Sequence, residues 1–264
     1  MMRTGLSLKW VWCISHLTKA ATKTAFGIVA QRNASKNVEV TDLISRIVKT
    51  VYAIRSNESI GSLFAELCTQ LQLGGASQLL AFKEHRCMGL TRVIRRILQT
   101  WEALKLWFEE RRAKAIRARK NPPQDFPLID GKTTLNQLLA LLDPITTLNI
   151  RAQGECGNQV EILLSLYRIR LTVLDETAGV KDRLRSALKP PVFHRVHELT
   201  SIVKEARHLL AVAFQKNFFS RYTDRIIMRE TAYIPEAQMC LQPVFKNPDK
   251  GLSKLVRSCS AARH

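Results

Sequence analysis

The chain has 264 residues with an apolar share of 46%, enough for one large domain or two small ones around a sizeable core, which excludes a disordered polymer. A formal charge of +19 and a pI near 10.1 imply attraction to nucleic acid or anionic surfaces. No apolar run approaches the roughly 20 residues of a membrane-spanning helix, so no membrane partner is expected.

Residues 1–38 form a basic N-terminal segment, with Arg3, Lys9, Lys19, Lys23, Arg32 and Lys36 and no acid. Lys9 interrupts its only apolar stretch, which argues against a secretory signal. Basic, Ser/Thr-containing and acid-free, the segment is similar to a mitochondrial presequence. Residues 16–30 carry helical spacing.

A helical subdomain is expected over 39–121. In 40–55, Leu43, Ile47, Val51 and Ile54 line one side, and Thr41 is placed to cap the start. A helix over 58–73 buries Leu63, Phe64, Leu67 and Leu71, and Gly74-Gly75 ends it. The stretch 89–120 then reads as one long helix. Leu90, Ile94, Ile97, Trp101, Leu104 and Phe108 recur at steps of four and three, the stripe one helix buries against another. Trp101 on that stripe reads as core, not as a platform for stacking bases. Arg92, Arg95 and Arg96 flank the stripe, and the helix ends in RRAKAIRARK. The helix dipole favours one or two cations there, not six in ten positions. Arg111, Arg112, Lys114, Arg117, Arg119 and Lys120 are therefore expected, with the three upstream arginines, to contact DNA phosphates or act in nuclear import.

Pro122-Pro123 and Pro127 mark a boundary before a second helical subdomain, 122–230. A helix over 134–152 is expected to be bent or interrupted by Pro144. The run VEILLSLYRIRLTVLD is apolar on nearly all sides and suits a buried helix, although its tail RIRLTVL alternates like a strand. Pro190-Pro191 breaks the chain again. A second long helix is expected over 193–222, with Val196, Leu199, Val203, Ala206, Leu210 and Ala213 at heptad-like spacing. Residues 231–264, with Pro235, Pro243 and Pro248, form an irregular C-terminal segment. The fold class is all-α, a multi-helix bundle.

No reactive constellation accompanies these helices. DGKTT at 130–134 lacks the glycine that a phosphate-binding loop needs five residues before Gly131, where Phe126 stands; a turn capping a helix at Thr133 or Thr134 accounts for it. Cys13 with His16, and His194 with His197, have ligand-like spacing, but a three-residue step also puts two ordinary side chains on one helix face. No metal and no cofactor are expected. Asp125, Asp130 and Asp143 read as caps and loop residues. The six cysteines form no CxxC pair and read as reduced thiols.

Four segments in order bring a family into view. WCISHLTKAATKTAFG, with Cys13 and His16, resembles the Cys-x-x-His segment of hAT-superfamily (hobo–Activator type) transposases. LISRIVKTVYAIRSNESIGSLFAELC is similar to the helical stretch after it. KEHRCMGLTRVIRRILQTWEAL, with Arg86 and Cys87, looks like the family's Arg-Trp-x-Ser/Gly segment. CLQPVFKNPDKGL, with Leu241, Pro243, Phe245 and Lys246, resembles a Leu-Asp-Pro-Arg-Phe-Lys landmark. The resemblance implies the helical insertion of an RNase-H-like fold. By it, the two aspartates of the Asp-Asp-Glu triad would lie upstream of Met1, and the glutamate and dimerisation segment beyond His264. No residue here inherits a catalytic role. Cys87 stands where the family has tryptophan, and Gln242 and Val244 replace its Asp and Arg.

The expected function is therefore that of a transposase-derived, nuclear fragment with residual, non-specific electrostatic DNA binding and no intact triad. Three alternatives stay open. The seams at 90–108 and 196–213 could bind a protein partner or a second copy; the chain could be a basic mitochondrial protein; or it could be an enzyme with an unrecognised site.

Overall fold

The computed structural model describes residues 14–29, 31–56, 58–71, 73, 79–82, 88–154, 159–184 and 193–219. Among these residues the chain is a bundle of eight α-helices with a single two-stranded hairpin. Cys13, Arg86, Cys87, Leu241, Pro243, Phe245 and Lys246 lie outside the described residues, as do Gly74-Gly75, Pro190-Pro191 and the C-terminal segment.

Helix α1 (Ile14–Ala25) buries a face of small residues: Ser15, Thr18, Ala21, Thr22 and Ala25. The hydroxyls of Thr18 and Thr22 donate to the carbonyls of Ile14 (2.7 Å) and Thr18 (2.9 Å), so polar atoms enter the core already satisfied. The helix ends in a Schellman turn. Gly27 has φ +54°, its N–H donates to Thr24, and the Ile28 N–H donates to Lys23 at 2.9 Å. A Cβ on Gly27 would lie 2.6 Å from the Asn37 carbonyl oxygen and 2.3 Å from the Ser35 and Thr41 hydroxyls, so glycine is required for space as well as φ.

Helix α2 (Val38–Arg55) is capped by Asn37, whose Oδ1 accepts from the Val40 N–H at 3.2 Å. Thr41 does not take that role. Its hydroxyl lies one turn further in and donates to the Gly27 carbonyl at 2.8 Å, tying α2 to the end of α1. The expected apolar side of α2 is buried. Helix α3 (Glu58–Gln70) stops four residues before Gly74.

The expected long helix is two helices, α4 (Gly89–Gln99) and α5 (Trp101–Arg117). Thr100 separates them. Its amide and its hydroxyl both donate to the Arg96 carbonyl, at 3.0 and 2.9 Å. Such back-bonding by threonine bends a helix. All six seam residues from Leu90 to Phe108 are nonetheless buried, Trp101 among them.

Phe126 lies against Trp101 (5.1 Å) and Phe108 (5.2 Å), so the residue that stands in place of a phosphate-loop glycine is a core aromatic. A turn over 126–131 leads into α6 (Lys132–Gln153), with Gly131 at the N-cap rather than either threonine. Helix α6 runs unbroken through Pro144. Proline in a helix interior costs about 3 kcal/mol, but α6 packs against α1, α4, α7 and α8 at once. Burying eight apolar side chains between Leu135 and Leu148 outweighs that cost.

Helix α7 (Gln159–Thr172) takes in all but the last two residues of the segment whose alternation suggested a strand. Ile162, Leu166, Ile169 and Val173 are buried at steps of four, three and four, and that period decides the conformation. Strands β1 (Val180–Lys181) and β2 (Phe193–His194) pair antiparallel, Val180 opposite His194. Helix α8 (Ser201–Phe214) starts eight residues later than the spacing suggested, because Phe193 and His194 are held in the hairpin. Gln137 of α6 fixes the approach to it, accepting from the Thr200 N–H at 3.0 Å and donating to the Glu198 carbonyl at 2.9 Å. One π-turn (Gln215–Phe219) follows α8. One apolar core runs from Ala21 to Phe219.

Candidate nucleic-acid interface

Nine cations were expected to meet nucleic acid, and the structure sorts them by what already engages them. Arg95 forms an ion pair with Asp143 of α6, so this aspartate is a tertiary contact and not a helix cap. Arg96 is half-buried, and its charge offsets part of the desolvation that pushes the buried Cys68 thiol up. Arg92 is exposed.

On α5, Arg111 lies 5.5 Å over the ring of buried Trp107, Arg112 pairs with Asp125 at 2.9 Å, and Arg117 reaches Glu110 at 3.4 Å. These exposed pairs hold side chains more than they stabilise the fold. Lys114, Arg119 and Lys120 are exposed, with no carboxylate partner among the described residues. The backbone fans them out. Arg119 has φ +53°, its N–H donates to Ile116, and the Lys120 N–H donates to Ala115 at 2.9 Å. This is a Schellman turn with arginine in the left-handed position where glycine is usual. It ends α5 with cations at the terminus whose carbonyls carry partial negative charge.

Other expected residues remain apart. His16 is exposed on α1. His194 sits in β2 and His197 in a 3-10 turn, where its ring lies 3.9 Å from Glu198. Among the described residues no group of three His, Cys, Asp or Glu is placed to hold a metal ion. The seams face this chain's own core: the six α4–α5 seam residues and Leu199, Val203, Ala206 and Leu210 are buried, while Val196 and Ala213 at the ends of the second seam are partly buried.

Two groups of residues carry weight that sequence reasoning missed. Arg207 of α8 is buried and donates from Nε to the Val173 carbonyl (2.7 Å), from Nη1 to Ala178 (2.8 Å), and from Nη2 to Thr172 (3.0 Å) and Asp175. It thereby closes the C-terminal end of α7. Burial pushes its guanidinium below the ordinary value, and the Asp175 and Glu176 charges oppose that. Second, Arg151, Arg168, Lys181 and Arg183 gather round one cleft. Only the basic character of the chain after Lys181 hinted at it.

The chain matches no protein-family model, no curated protein and no solved structure.

Proposed function

We propose that the protein binds nucleic acid through phosphate contacts at the basic end of α5, without sequence readout and without catalysis. The observation that supports this is the trio Lys114, Arg119 and Lys120, exposed where α5 ends and without carboxylate partners among the described residues. The partly engaged Arg111, Arg112 and Arg117 lie on the same helix, and Arg92 is exposed on α4. Cations already neutralised inside a protein release no counterions from DNA, whereas unpaired ones do. The trio therefore contributes directly to the affinity.

The test is a salt series of duplex-DNA affinities for the full chain and for the triple variant K114Q/R119Q/K120Q. The log–log slope should fall by roughly 2–3, about 0.9 for each phosphate that is no longer neutralised. An unchanged slope and affinity would sink the reading.

The transposase resemblance supplies a proposed origin, the helical insertion of such an enzyme, and with it a nuclear setting. Genomic reading frames beside this one that encode the family's Asp and Glu residues would support that origin. Unrelated flanking sequence would remove it.

A further inference from the structure

We propose that the cleft between α6, α7 and the β-hairpin is a binding site for a small phosphate ester with an apolar or aromatic body. The cleft has a volume of about 460 Å³, within the range of roughly 300–1,000 Å³ of small-molecule sites. Its floor is apolar, formed by the buried Leu148 and Ile169 with Pro144 beside them. Its walls carry Arg151, Arg168, Lys181 and Arg183.

The charge within this lining is unbalanced. The one carboxylate, Asp143, is already paired with Arg95. None of the four cations has a carboxylate partner among the described residues. Arg151 donates only to the Ser165 hydroxyl, at 3.3 Å, and the Arg183 Nε is buried with no hydrogen-bond partner among the described residues. A buried donor left without a partner is destabilising. An acceptor supplied from outside would remove that cost.

The lining also selects a ligand class. Three guanidinium side chains and one ammonium side chain lining a single cleft suit tetrahedral oxyanions, which take several donors at once. A phosphomonoester carries about −1.5 to −2 charge at neutral pH, a closer match to four uncompensated cations than a single carboxylate. Phe193 lines the same cleft, 46% exposed, with the Lys181 ammonium 6.0 Å from its ring centroid, so an aromatic surface for the body of the ligand lies beside a cation. A mononucleotide unites these properties, whether free or as the terminal nucleotide of a strand.

The probes are adenosine 5′-monophosphate, adenosine and inorganic phosphate, titrated calorimetrically into the full chain. The monophosphate is expected to bind one to one and more tightly than either fragment. Arg168 and Lys181 are exposed, so R168Q and K181Q keep the fold, which circular dichroism verifies. Together they should weaken the monophosphate at least about tenfold, through loss of charge-assisted hydrogen bonds. K114Q/R119Q/K120Q should leave it unchanged. An oligonucleotide bearing a 5′-phosphate that competes, while its unphosphorylated form does not, would identify the strand end as the source; no competition would identify the free nucleotide. Equal affinity for adenosine and its monophosphate, or no effect of R168Q/K181Q, would overturn the site. So would pocket variants that lose duplex binding as strongly as the α5 variant, since the cleft cations would then belong to a general DNA surface.

Discussion

Single residues at helix ends decide much of how this chain closes. Asn37 serves two helices: its Oδ1 caps the start of α2 while its Nδ2 donates to the Ala25 carbonyl at 3.5 Å. Arg207 is the stronger case. Replacing a buried ion by an apolar side chain is often neutral when its partner is replaced too. Here the partners are backbone carbonyls, which no substitution removes, so truncation strands them. Arg207→Met should lower stability by about 3 kcal/mol or more, and the melting temperature by roughly 6–12 °C. Arg207→Lys keeps the charge but lacks the fork and should recover less than half of that. Urea unfolding measures both, and a Met variant within about 0.5 kcal/mol of the parent would show the contacts to be incidental. Nothing in EARHLL distinguishes Arg207 from the exposed cations around it, because its carbonyl partners lie about 30 residues upstream.

At the scale of elements, periodicity and local chemistry compete, and each wins somewhere. In α7 the four-three-four spacing prevails over alternation because a packed helix buries all four residues at once. Between α4 and α5 the seam is continuous, yet Thr100 divides the helix by giving the Arg96 carbonyl two donors from one residue. The end of α5 carries strain, since arginine at φ +53° is tolerated less well than glycine. Arg119→Gly should therefore stabilise the protein by about 0.5–1 kcal/mol while removing one cation from the surface proposed to meet DNA. Stability by chemical denaturation and DNA affinity should move in opposite directions. If both fall, Arg119 holds the fold in a way that its exposure hides.

Among the described residues one large apolar cluster joins most of the helices, beside a small one around Leu163, and the first described helix is part of the large one. Helix α1 lies against α6 and α8, and the Asn149 amide of α6 donates to the Ser15 carbonyl and hydroxyl, both at 3.0 Å. Ala21, Ala25, Phe26 and Ile28 all contribute to that core. Cutting away residues 1–29 should abolish cooperative thermal unfolding, followed by circular dichroism. A shortened chain that melts as sharply and as high as the full one would instead make α1 dispensable, as the mitochondrial alternative requires. Charge works at the same scale: the partly buried Arg95 is matched by a carboxylate and the buried Arg207 by carbonyls, whereas the buried Nε of Arg183 has no hydrogen-bond partner among the described residues.

Helical character, the apolar faces of α2 and α4–α5, and the basic end of α5 were legible in the sequence, because a period of 3.6 residues and a run of charge are local properties of a chain. Of the four motifs that resemble a transposase, the last lies wholly outside the described residues, as do Cys13, Arg86 and Cys87 of two others, and the meaning of the resemblance for function stays a proposal. What only the tertiary structure decided is partnership. It placed Asp143 on Arg95, Gln137 on the approach to α8, Arg207 under the end of α7, and four cations around one cleft. Each of these joins residues about 30 to 60 positions apart or sets three elements side by side. Helical periodicity carries no information about such distances, since it fixes which face a side chain occupies and leaves what meets that face to the packing of the whole core.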